Sequence, residues 1–165
     1  MSMLAELPGV APVWEPFHRS KGVVPRGWGD CPHPSTMDDR DQVHLQQVFS
    51  GHHLNAWTCS RTLLRNAMGA KQLLFKHVRA NHLLPGLIEE YNLKHRPILL
   101  VRHPWDIVTS QYAAFGFWEE NCTIEEVYPG HDELHQAWSN LSHLTDPFVR
   151  KLHLWCLINA SLVQK

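Results

Sequence analysis

Net charge is what this chain lacks most. Its 15 Lys and Arg stand against 16 Asp and Glu, leaving −1 with histidine neutral. Such a chain has no bulk field to collect nucleic acid or an anionic membrane, so any anion site must be built locally. Cysteine is sparse as well. Cys31, Cys59, Cys122 and Cys156 are widely spaced and include no C-x-x-C pair. That usage fits reduced thiols in a reducing compartment. Long apolar runs are missing: none in the chain approaches the roughly 18 residues that a membrane-spanning helix needs. The start, "MSMLAELPGVAPVWEPF", has neither a basic leader nor a long apolar stretch, so secretion and transit are not expected. Together these absences predict a cytoplasmic protein with no membrane segment. Neither an internal repeat nor an interdomain linker interrupts residues 1–165, which read as a single domain or part of one.

Histidine, by contrast, is plentiful. The 13 histidines are scattered rather than gathered in a tract. His52, His53 and Cys59, or Cys31 and His33, come nearest to metal-ligand spacing. No four-ligand set emerges, and adjacent histidines rarely converge on one ion, so no metal is predicted.

Apolar spacing then gives the elements. "GVAPVWEPF" (9–17) reads as a short strand closed by Glu15-Pro16, and Gly, Pro, Ser and Asp mark 18–38 as a long loop. Helices are predicted over 39–51 and over 60–70, the second with Ser60 as N-cap. "QLLFKHV" (72–78) is a strand, 81–93 a helix, "RPILLV" (96–101) a strand, and 104–117 a helix with Pro104 at its first position. Strand–helix–strand–helix in this order argues a right-handed crossover, a parallel sheet and an α/β fold. Two further helices, 131–144 and 146–163, complete the pattern near Asp caps.

The stretch "PILLVRHPWDIVTSQ" carries the chemistry. A buried parallel strand running straight into a helix aims that helix's free N–H groups at the sheet's C-terminal edge, where an anion fits. Arg102 at the strand's end can offer its planar fork to a phosphate, and the Ser110 hydroxyl can join it. The plainer alternative is an Arg102–Asp106 pair and an ordinary helix serine.

This stretch resembles the 3′-phosphate-binding segment of the sulfotransferase family, where a strand leads into Arg-x-Pro and a Ser follows eight residues after the Arg. The resemblance implies 3′-phosphoadenosine 5′-phosphosulfate as co-substrate, with Arg102 and Ser110 holding its 3′-phosphate. It departs at His103, where many members carry Asp or Asn. "LLFKHVRANHLLPGLIEEY" is similar to the family's preceding strand and helix, which implies that Lys76 assists the transferring sulfuryl group. "VWEPF" resembles a segment of carbohydrate-type members, which implies Glu15 as the base that deprotonates the acceptor. His77 and His82 are second and third candidates, although strand alternation puts His77 on the face opposite Lys76.

The family's fold is a three-layer, P-loop-NTPase-like parallel sheet flanked by helices. Here it is expected to be incomplete at both ends. The 5′-phosphosulfate cradle, a motif like P-x-S-G-T-(S/T), is not among these residues. The resemblance therefore implies the middle of the family's domain, with weak donor binding or none. The implied acceptor is a small molecule or carbohydrate bearing a hydroxyl or amine.

Two other readings follow from the same residues. "LLVRHP" resembles the "RHG" segment of the histidine phosphatase superfamily, which would make His103 a nucleophile and Arg102 a phosphate clamp. Pro104 in place of the glycine, and a position past residue 100, depart from that pattern. A degenerate, non-catalytic sulfotransferase domain acting as an interaction module is the other.

Overall fold

A computed structural model describes residues 6–28, 32–62, 64–91, 95, 97–116 and 123–163. The chain forms two compact units, Met1–Asn81 and His82–Lys165.

The first unit is built on two parallel strands, β1 (Val10–Trp14) and β2 (Gln72–Lys76), paired from Val10↔Gln72 to Trp14↔Lys76. Between them the chain makes helices α1 (Asp39–Phe49) and α2 (Leu64–Met68). Pro12 sits inside β1, where a missing N–H would break a ladder. It does not, because of which edge it occupies. The Glu15 N–H donates to Lys76 O at 2.9 Å, toward β2, while the Trp14 N–H donates to Thr58 O at 2.8 Å, away from it. Alternation puts the Pro12 nitrogen on the Trp14 side, off the ladder.

Helix α1 starts where its capping box dictates. Asp38 accepts from the N–H groups of Arg40 and Asp41, and the Asp41 carboxylate returns to the Asp38 N–H at 3.2 Å. Asp41 also takes the Trp28 indole N–H at 3.0 Å, which fixes the long loop to the helix. Gly51, with φ +78°, follows the C-terminal end of α1, and a side chain there would press Leu73 at 2.9 Å. Leu45 and Val48, one turn apart, are buried with Val13, Phe17 and Trp28. On the strand's flank, Ala11, Cys59 and Ala67 form a second buried cluster, and the small side chains let α2 lie close to β1. The helix predicted over 60–70 is thus shorter than expected, and Ser60 lies in a turn before it.

The second unit is helical among its described residues: α3 (Leu84–Glu90), α4 (Pro104–Phe115), α5 (Ile124–Val127), α6 (Asp132–Asn140) and α7 (Pro147–Val163). Ile124, Leu134, Trp138 and Leu154 form one buried cluster in it. Asp146 caps α7 by accepting from the Phe148 and Val149 N–H groups. Helix α5 was not foreseen; Thr123 and Glu126 form its capping box.

The strand expected over 96–101 is the main difference. Residues 97–101 belong to no strand, and Ile98 and Leu100 are 77% and 86% exposed. A strand exists only by pairing, and among its described residues this unit offers no second strand. The fold is α/β in the coarse sense, mixed helix and strand with a two-stranded parallel sheet.

Candidate functional site

Titratable groups converge where β1 and β2 end together. The Trp14↔Lys76 pair places both side chains on one face of the sheet. The Lys76 ammonium lies 3.9 Å from the Trp14 ring centroid, a cation–π contact. The Arg61 guanidinium approaches the same ring at 4.8 Å.

Strand alternation would send the next side chain, Glu15, to the opposite face. The backbone prevents this. Glu15 has φ +39°, and among the described residues no other non-glycine has a positive φ. Left-handed backbone at a residue with a Cβ costs about 1–2 kcal/mol. There the carboxylate meets two cations: Oε1 lies 2.6 Å from Lys76 Nζ, and Oε2 lies 3.4 Å from the Arg79 guanidinium. The Glu15 side chain is only 13% exposed, against 34% for Lys76, so the carboxylate is the more enclosed partner. Two cations, Lys76 and Arg79, hold one carboxylate, and a third, Arg61, shares the Trp14 ring with Lys76, on a chain of net charge −1. The local excess of positive charge suits an oxyanion.

Of the residues singled out from sequence, Glu15 and Lys76 are therefore in direct contact. His77 is placed elsewhere. Its ring packs against Phe17, Phe49 and Phe75, with centroids 4.9, 5.7 and 5.8 Å away. Its buried Nδ1 has no hydrogen-bond partner among the described residues. Burial in this apolar cage pushes the imidazole pKa down to about 4. His77 is a neutral histidine among aromatic rings.

The remaining candidates belong to the second unit. The His82 ring meets His131 edge-on at 4.4 Å. Arg102 and Ser110 are exposed, the first two residues before α4 and the second inside it. Ser110 stands about 9 Å along the helix axis from Pro104, so a shared phosphate would need Arg102 to lie back along the helix. Among the described residues no ion pair joins Arg102 to Asp106. His103 is the N-cap of α4, its Nδ1 accepting from the Trp105 N–H at 3.3 Å.

Among the described residues no three His, Cys, Asp or Glu side chains gather as metal ligands. His33 and His52 are engaged by Ser35 and Ser50. An open cleft of about 390 Å³, lined by Gly9, Val10, Arg65, Asn66, Gly69 and Ala70, lies at the opposite end of β1 from Glu15. Among the described residues no helix is long and apolar enough to cross a membrane.

Sequence reasoning missed Arg79, Arg61 and the role of Trp14. Arg79 carried a signal, lying three residues beyond Lys76 just past the strand. Trp14 stood in the quoted "VWEPF", but nothing in the spacing told that its ring would carry two cations. Arg61 had no local signal. No protein-family model, no curated protein and no solved structure matches the chain.

Proposed function

We propose that this chain serves the transfer of a sulfuryl group from 3′-phosphoadenosine 5′-phosphosulfate to a hydroxyl or amine acceptor, a carbohydrate among the candidates. The observation that carries the reading is the 2.6 Å Glu15–Lys76 pair at the shared C-terminal end of two parallel strands. Ligands of open parallel sheets bind outside that end of the strands.

In this reading Glu15 takes the proton from the acceptor hydroxyl as its oxygen attacks sulfur. The bond from sulfur to the bridging phosphate oxygen breaks, and adenosine 3′,5′-bisphosphate leaves. Lys76 turns from Glu15 to the bridging oxygen as charge develops there. Arg79 keeps hold of the second carboxylate oxygen. Arg61 and Arg79 supply the remaining positive charge for a polyanionic donor. The two strands would be part of a three-layer, P-loop-like parallel sheet. With no P-x-S-G-T-(S/T) motif in these residues, donor affinity rests on these side chains and is expected to be weak.

The test is transfer of label from a ³⁵S-labelled donor at millimolar concentration to a mixed acceptor panel. Wild type should transfer label, and Glu15→Gln and Lys76→Ala should each reduce it to background. Equal counts in all three proteins would sink the reading.

A further inference from the structure

We propose that Asn55 is a positioning residue for the Glu15–Lys76 pair. The proposal takes its functional meaning from the reading above, but the geometry stands without it.

A carboxylate on left-handed backbone stays there only if the chain is held on both sides of it. Upstream, the Trp14 N–H is fixed to Thr58 O at 2.8 Å. Thr58 is completely buried. Downstream, the chain folds back on itself. The His18 N–H donates to Glu15 O at 3.1 Å, the Gly22 N–H to His18 O at 2.7 Å, and the Val23 N–H to Pro16 O at 2.9 Å. The turn is tight enough that a Cβ on Gly22 would lie 2.2 Å from Pro16 O.

Asn55 joins the two anchors. Its Oδ1 accepts from the Thr58 N–H at 2.9 Å, and its own N–H donates to Thr58 Oγ1 at 2.8 Å. Its Nδ2 donates to Lys21 O at 3.0 Å and to Gly22 O at 3.2 Å. One side-chain amide thus holds Thr58, whose carbonyl fixes Trp14, with its oxygen, and the segment after Glu15 with its nitrogen. No other residue type offers an acceptor and two donors at that short reach. The hydrogen bonds of Asn55 go to Thr58, Lys21 and Gly22 rather than to Glu15 or Lys76, so its effect is through the backbone on either side.

The test uses reductive ¹³C-methylation of the lysines and NMR, with the Lys76 signal assigned by Lys76→Arg. A methylated ammonium above the Trp14 ring is displaced by the ring current. Asn55→Asp keeps the shape, loses both donors and sets a carboxylate oxygen against two carbonyls. Well below the melting temperature, it should move the Lys76 signal to the position of exposed lysines. Asn55→Ser, which cannot reach residues 21 and 22, should do the same and covers the case in which Asn55→Asp does not fold. A lowered melting temperature with the Lys76 signal unmoved in the folded variant would overturn the proposal, since a merely structural amide would give that result. Where wild type transfers sulfuryl groups, the variants should lose kcat on the order of 10–100-fold with KM little changed. A moved Lys76 signal in a protein without transfer would sink the functional reading and leave this one standing.

Discussion

Trp14 and Lys76 are register partners on parallel strands, and the lysine ammonium rests 3.9 Å above the indole ring while its hydrogen bond goes to Glu15. One cation is therefore shared between an aromatic face and a carboxylate. Such a lysine is held loosely enough to change partners and closely enough to be aimed.

That arrangement predicts a split between stability and function. The pair is partly exposed, and ion pairs of this kind contribute about 0–1 kcal/mol. Lys76→Ala should therefore change the urea unfolding free energy by no more than about 1 kcal/mol. Its transfer activity should fall to background in the labelled-donor assay.

Glu15 should show the opposite trade. Glu15→Gly removes the Cβ that opposes φ +39°. Relief of that strain should offset the lost ion pair and leave the protein as stable as wild type, or up to about 1 kcal/mol more so. Glu15→Ala keeps the strain and should be the less stable of the two. Paired urea titrations of both variants check this.

His77 predicts an acid-sensitive unit. The folded pKa of about 4 lies below the ordinary histidine value, so the unfolded chain binds a proton first as pH falls. Stability is fully present above about pH 6.5 and is lost as pH falls toward about 4, by about 3 kcal/mol at most. His77→Phe should flatten the stability profile across that window. An unchanged slope in the variant would place the acid-sensitive group elsewhere.

Residues 97–101 predict a tolerant segment. Ile98 and Leu100 are 77% and 86% exposed, so Ile98→Lys and Leu100→Lys should each alter stability by less than about 0.5 kcal/mol. Both should raise solubility by breaking up an apolar run. Losses of several kcal/mol in thermal melts would mean that the segment is buried in solution.

The two strands at the site were legible because their apolar runs are short, the first bounded by Gly9 and Glu15-Pro16; the second was expected over 72–78 and ends at Lys76. Helix α1 was legible as a run closed by Gly51, while its Asp38–Asp41 capping box was not foreseen. The segment at 96–101 misled because an apolar run records a preference for burial without naming the partner that would supply it. Periodicity is local, whereas a ladder is a relation between distant segments. Glu15 and Lys76 were singled out only through resemblance, each in its own role, and their contact was not expected. What brings it about, one left-handed residue held by Asn55 and Thr58, depends on hydrogen bonds spanning more than 30 residues. No window of sequence contains both ends of them.

Pro12 has a last consequence. It removes a donor from the outer side of β1, and Thr58 already takes the next one, from Trp14. The sheet is thus closed to recruits on that flank. A further strand, from this chain or another, can extend the ladder only along β2. The proline makes growth of the sheet one-directional and halves the opportunity for unwanted edge-to-edge pairing.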